Sequence, residues 1–144
     1  EYILHMDDDD YYPPQSFKTR IKYLLSTKKE CVSCTTIGCF DIRHYISMIN
    51  VPPVNISFGR QVSEATLCYH KSFWKKHKFT EKRKNCEAEY MFSKKKDCKI
   101  IDWKDVIVAL NHNGNTTDRQ TFGEPNGCHF GWSDKLFLFI TNLA

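Results

Sequence analysis

The stretch from Tyr2 to Pro14, YILHMDDDDYYPP, decides how the rest of the chain is read. A short apolar run, Tyr2 to Met6, stops at four consecutive aspartates, Asp7 to Asp10, and a double proline, Pro13-Pro14, follows. An apolar run bounded by charge in this way has the pattern of a buried strand with acid at its C-terminal end. Proline just inside a helix start, followed by Phe17, Ile21, Leu24 and Leu25 at helical spacing, predicts an amphipathic helix to about Lys28. The order is therefore strand, acidic turn, helix. Four adjacent carboxylates repel one another and stay ionised only when solvated or neutralised by a cation, for which a divalent metal is the natural candidate. The competing reading is a solvated acidic turn capping the helix. The apolar strand leading into the run and the prolines fixing its exit favour the metal. A calcium loop does not fit, since the glycine and distal glutamate of that pattern are missing.

The whole chain has 144 residues, 41% hydrophobic and 26% charged, an ordinary balance for one globular domain that needs no disulfide framework to fold. Its longest apolar runs, Val106 to Leu110 and Leu136 to Ile140, fall far short of the ~20 residues that cross a bilayer. The chain begins Glu-Tyr-Ile rather than with methionine and has no signal-peptide pattern, which predicts a processed product or a piece of something longer. The net charge of +4 resides mostly in lysine clusters, Lys71 to Lys84 and Lys94 to Lys99, and 16 of the 21 basic residues are lysines. Solvated faces explain them better than a nucleic-acid footprint does. Seven cysteines, an odd number at irregular spacing, argue against a complete set of internal bridges and for a reducing, cytoplasmic setting. The sequons at Asn55 and Asn115 keep a secretory lumen or a virion open. Cys31-Val-Ser-Cys34 with Cys39 has knuckle-like spacing, but no second close pair follows, so these cysteines read as small apolar residues of a strand rather than zinc ligands.

Further along, Val32 to Phe40 reads as a second strand, and Asp41 to Ser63, with Pro52-Pro53 and no clean periodicity, as a long irregular connection. Ala65 to His70 is a strand candidate, and Lys71 to Lys78 a short helix with Phe73 and Trp74 inward. Cys86 to Lys95 carries acid at its start and base at its end, which suits a helix. Lys99 to Trp103 and Asp105 to Asn111 are short apolar runs, the second strand-like and ending in a turn, His112-Asn-Gly-Asn115. The tail from Phe130 to Leu143 is aromatic, with a period ambiguous between strand and helix.

YILHMDDDDYYPP resembles the metal-binding DxD segment of family-2-type glycosyltransferases with the GT-A fold, in which a strand ends in aspartates and a helix follows a proline. Three later segments are similar to that family in the same order. Ala65 to Phe79, ATLCYHKSFWKKHKF, resembles the strand and helix lining the acceptor side; Asn85 to Phe92, NCEAEYMF, the acidic helix start that supplies a catalytic base; and Val106 to Arg119, VIVALNHNGNTTDR, the late strand whose terminal histidine joins the metal. The resemblance implies an α/β fold with a mixed sheet and flanking helices. It further implies that residues 1–144 are the metal- and acceptor-binding C-terminal half of a GT-A domain, the nucleotide-binding half preceding Glu1 being absent from the chain.

On this resemblance the chain is a transferase that moves a sugar from a nucleotide diphosphate-sugar donor to a carbohydrate or protein hydroxyl acceptor, by inversion, with Mn2+ or Mg2+ and with the help of the missing half. Asp9 aligns with the metal-ligating aspartate, Asp7 with the second ligand position, and His112 with a further ligand, while Asp8 and Asp10 fall to the donor's ribose or sugar. Hard oxygen ligands suit these ions when phosphates share them. Glu89 and Glu87 are candidates for the base that deprotonates the acceptor, Glu89 being favoured; two apart on a helix, they point in different directions. The family commonly has Glu-Asp here, and this chain has Glu-Ala-Glu. The competing role for both is helix N-terminal charge compensation. Trp132, beside glycines in Gly131-Trp-Ser-Asp134, is the candidate acceptor platform, whereas Trp74 and Trp103 read as core. Two other classes stay open: a non-catalytic carbohydrate- or protein-binding relic of the fold, and a basic nucleic-acid-binding module. The sugar, nucleotide, acceptor and oligomeric state are not encoded in these motifs.

Overall fold

Two mixed sheets and a few helices make up the residues that the structure, a computed structural model, describes: 1–79, 89, 91, 97–115, 138, 139 and 142. Strand β1 (Tyr2–Leu4) leads through the acidic turn into helix α1 (Ser16–Ser26), then strands β2 (Cys31–Ser33), β3 (Ile37–Asp41) and β4 (Ile46–Asn50). A one-turn helix α2 (Phe58–Gln61), a 3-10 turn at Glu64–Thr66, strand β5 (Cys68–His70) and helix α3 (Lys71–Lys76) follow, and β6 (Cys98–Ile100) and β7 (Val108–Asn111) come last. The first sheet has the order β1-β5-β2-β6, with β5 antiparallel to both neighbours and β2 parallel to β6. The second has the order β4-β3-β7, an antiparallel hairpin whose β3 lies parallel to β7. No helix among the described residues is long and apolar enough to cross a membrane.

The inner strands β2 and β5 of the first sheet are covered on both faces, so they show no polar alternation. Val32 and Cys68 belong to the larger core with Cys39, Val106, Ile107 and Ala109. Their strand neighbours Cys31, Leu67 and Tyr69 face a second core with Phe73 and Met91. Successive side chains point to opposite faces of a strand, and here each face finds apolar cover. Trp103 packs against β3: a Cβ on Gly38 would overlap its ring carbons, so that position admits only glycine without displacing the indole. Phe73 is buried as its spacing predicts, while Trp74 is half-buried.

Helix α1 forms where proline and periodicity place it, but it docks on another stripe. Ser16, Arg20 and Leu24 are buried, at the i, i+4, i+8 spacing of one helix face, whereas Phe17 and Leu25 are about 60% exposed (60% and 61%). The reason is hydrogen bonding. Ser16 Oγ donates to the Val106 carbonyl at 2.6 Å and Arg20 Nη1 to the His5 carbonyl at 2.7 Å, so two polar side chains turn inward to satisfy buried backbone.

Two further expectations are corrected. Val32 to Phe40 is not one strand. The Cys34 amide donates to Thr66 Oγ1 at 2.9 Å and the Cys34 carbonyl accepts from Ser63, which ends β2 and carries the chain over to the second sheet before β3 begins. Asp41 to Ser63 is not irregular throughout, since it holds β4 and α2. Asp41 Oδ1 accepts the amides of Arg43 and His44 at 2.9 and 3.2 Å, an Asx-type turn that reverses the chain, and Tyr45 closes it with a left-handed φ of 54°. The Ala65 to His70 strand is shortened at its start, because Glu64–Thr66 winds as a 3-10 turn. The predicted helix over Cys86 to Lys95 and the tail from Phe130 to Leu143 lie outside the described residues save Glu89, Met91, Leu138, Phe139 and Asn142.

Asp41 anchors the hairpin. Its carboxylate is 8% exposed, with Arg43 Nη2 at 2.6 Å and His44 Nδ1 at 3.2 Å, and the Arg43 guanidinium beside it holds the carboxyl well below the usual carboxylate range. A carboxyl depressed in the folded state stabilises above its unfolded pKa, near pH 4, and the contribution fades as pH falls further. Asp41→Asn is therefore expected to lose about 2 kcal/mol at pH 7. Urea denaturation should show the gap between wild type and variant closing below about pH 4; an equal gap at pH 7 and in acid would refute this account of the turn.

Candidate metal centre

The acidic turn is held at both ends by backbone. The His5 amide donates to the Leu67 carbonyl at 2.9 Å, continuing the pairing of β1 with the segment of β5. At the other end Tyr11 pairs with Val108 as an antiparallel bridge, with N–H···O distances of 3.0 and 2.8 Å. Within the turn the Leu110 amide donates to Asp10 Oδ1 at 3.0 Å, so Asp10 is drawn onto β7. Tyr12 spans the loop: its hydroxyl accepts the Asp7 amide at 2.8 Å and donates to the Ala65 carbonyl at 3.1 Å. Burial pushes the Tyr12 phenol up, so it stays a protonated donor.

These constraints bring three of the four aspartates together. Asp7, Asp9 and Asp10 each present a carboxylate oxygen within 4.8 Å of the others, Asp7 exposed and the other two half-buried. An octahedral ion holding oxygens at about 2.1 Å sets cis neighbours about 3.0 Å apart and trans ones about 4.2 Å, so carboxylate rotation that draws the three oxygens inward by roughly one to two ångströms would seat one. The donor set is hard oxygen, the chemistry of Mg2+ or Mn2+. Asp8 is exposed in the turn and stands outside this group. Asp10, assigned by resemblance to the donor, thus lies among the potential metal ligands.

His112 arrives at the end of β7, with Nε2 3.6 Å from Asp9 Oδ2. The turn that follows fixes it. The His112 amide donates to Asn115 Oδ1 at 2.6 Å, and the Gly114 amide donates to His112 Nδ1 at 3.0 Å. In the neutral ring that bond puts the proton on Nε2, on the side of Asp9, whereas the Asn115 Nδ2 donor 3.3 Å from Nε2 favours the other tautomer. Ligation through Nε2 uses the tautomer with the proton on Nδ1, in which the Gly114 contact is given up. Asn115 is the residue that sequence reasoning misses at this site: it reads as the end of a turn and as a sequon, with no part beside the aspartates. Its Nδ2 donates to Asp9 Oδ2 at 2.9 Å and to the Leu110 carbonyl at 3.3 Å. The available signal was the His-Asn-Gly-Asn spelling, in which an asparagine side chain closes the turn onto the backbone.

Glu89 is held by Ser57 and packed against Gly59. Its carboxylate accepts from Ser57 Oγ at 3.1 Å, and its backbone lies so close to Gly59 that a Cβ there would meet Glu89 Cα at 2.7 Å. Glu89 is thus brought to the start of α2, while the aspartates meet at the end of β7. Glu87 and Trp132 lie outside the described residues. Comparison of the chain with protein-family models, curated proteins and solved structures gave no match.

Because Tyr12 joins Asp7 to the segment before β5, its hydroxyl is expected to order the loop. Tyr12→Phe should cost about 1–2 kcal/mol, leaving the Ala65 carbonyl without its donor. Hydrogen exchange at the Asp7 amide should accelerate in the variant relative to β7 amides. Unchanged protection of Asp7 would show that the hydroxyl does not hold the turn.

Proposed function

We propose that this chain carries the metal- and acceptor-binding part of a GT-A-type glycosyltransferase of the family-2 kind, which moves a sugar from a nucleotide diphosphate-sugar to a hydroxyl acceptor with inversion. The observation that carries the reading is the convergence of Asp7, Asp9 and Asp10 within 4.8 Å at the end of an apolar strand, with His112 at 3.6 Å from Asp9. In open α/β sheets ligands gather at the C-terminal ends of strands, and β1 and β7 both deliver their acid and imidazole there.

A divalent ion, when bound, supplies the positive charge that offsets the developing negative charge of a diphosphate leaving group. The chain's own residues would do the rest. Asp9 and Asp7 would bind the ion, joined by Asp10 through the oxygen geometry, with His112 completing the set once its Nδ1 releases Gly114. Asp8, exposed at the tip of the turn, would face the donor's ribose or sugar. Glu89, or Glu87, would take the acceptor proton, and Trp132 would stack on the acceptor. The mixed α/β architecture with helices against the sheets is compatible with a GT-A half.

Manganese titration followed by electron paramagnetic resonance tests the reading at its base. Wild-type chain is expected to bind one Mn2+ more tightly when a nucleoside diphosphate is present. Asp9→Asn should weaken the ion by roughly tenfold or more, and His112→Ala by less, because it removes one neutral ligand. Asp8→Asn should leave the affinity of the free ion unchanged. Equal manganese affinity in wild type and Asp9→Asn would sink the assignment.

A further inference from the structure

Away from the acidic turn, two thiols face each other across the first sheet. Cys31 on β2 and Cys98 on β6 are direct partners in the parallel register, and their sulfurs are 3.8 Å apart. Neighbouring strands lie about 4.7–4.9 Å apart, inside the range of Cα separations that a disulfide spans, so side-chain rotation with a small approach of the two strands would bring the sulfurs to bonding distance. The other free cysteines of the described residues, Cys34, Cys39 and Cys68, are also buried, yet each belongs to the larger core, whereas Cys31 and Cys98 share the second one. We propose that Cys31 and Cys98 are a redox-active pair that forms an intramolecular disulfide by exchange with a small-molecule disulfide of the glutathione type.

Access decides how the reaction proceeds. Cys31 is 0% exposed and Cys98 is 5% exposed, so neither sulfur meets an oxidant in the closed sheet. Among the described residues, however, β6 is a three-residue strand at the sheet's edge, with β2 as its neighbour. Short edge strands with one neighbour are the segments that open first. Burial raises the Cys31 thiol well above its usual range, so that thiol becomes a nucleophile only when the sheet loosens.

The exchange balances without any further reagent. In the opened edge the Cys98 thiolate attacks one sulfur of glutathione disulfide, whose S–S bond breaks and releases one glutathione thiolate. The Cys31 thiolate then attacks the Cys98 sulfur of the mixed disulfide and expels the second glutathione. The two protein thiol protons pass to the two departing thiolates, so the protein dithiol is oxidised by two electrons and the glutathione disulfide is reduced. The product ties β6 to β2 across 67 residues of chain.

The experiment uses the whole chain equilibrated in a glutathione redox buffer, quenched by alkylation, digested and mapped by mass spectrometry. The expected result is a linked peptide pair containing Cys31 and Cys98, about 2 Da lighter than the sum of the two thiol peptides. Denaturant that loosens β6 without global unfolding should speed its formation. Cys98→Ala should abolish the link. Cys34→Ala, which truncates another buried core cysteine, should retain it and so separates loss of folding from loss of the partner. Full alkylation of both Cys31 and Cys98 after equilibration, a persistent glutathione adduct on either, or the survival of a Cys31 linkage in Cys98→Ala would each overturn the pairing.

Discussion

The bridge between Tyr11 and Val108 is the contact on which the rest of the architecture turns. Strand β1 belongs to the first sheet and β7 to the second, and two backbone hydrogen bonds at Tyr11 hold the end of the acidic turn against β7. Among the described strands β3 pairs with the other side of β7, and the bridge supplies partners to the backbone groups of Val108 on this side. With it, the four-aspartate run is suspended between the sheets. The Leu110 amide then fixes Asp10, and the exit of β7 places His112 and Asn115 beside Asp9. The spacing of the carboxylates is therefore set by main-chain geometry rather than by their own preference, which is to separate.

That dependence explains which parts were legible in the sequence. A strand before the aspartates, a helix after the double proline, an apolar strand ending at Asn111 and a turn beyond it are all written in local signals: apolar runs bounded by charge, helical spacing and turn residues. The association of His112 with the aspartates was legible only through resemblance to a family, because it joins residues about a hundred positions apart. What escaped depends on tertiary hydrogen bonds. Nothing in the spelling of Val32 to Phe40 reveals that Thr66, far along the chain, captures the Cys34 amide and breaks the strand. The hairpin after Asp41 lacks the Asn-Gly or Asp-Gly signature of tight turns; it closes instead through an aspartate side chain and a tyrosine in the left-handed region.

Helix α1 shows the same limit from the other direction. Its apolar residues have correct helical spacing, but periodicity ranks side chains by hydrophobicity and cannot weigh a buried carbonyl that needs a donor. The carbonyls of Val106 and His5 select Ser16 and Arg20 for the inner face. The helix consequently turns Phe17 and Leu25 outward and keeps only Leu24 of its apolar set fully inside.

Arg20 connects that choice to the acidic turn. It is wholly buried, and among the described residues Nε and Nη2 have no hydrogen-bond partner, a costly arrangement for a cation. Burial draws its pKa down, yet the guanidinium is so strong a base that it keeps its charge at neutral pH. What offsets the cost is its position: Nη1 on the carbonyl of His5, two residues before Asp7, and the guanidinium 5.5 Å from the ring centre of Tyr12, whose hydroxyl binds the Asp7 amide. Tyr12 thus sits between a buried cation and the aspartates, and Arg20 and the Asp7 and Asp10 carboxylates act on its phenol with opposite sign. One fixed positive charge beneath four carboxylates reduces their mutual repulsion without cancelling it. The turn remains strongly negative toward solvent, on the side where, in the proposed reading, a divalent ion would complete the neutralisation.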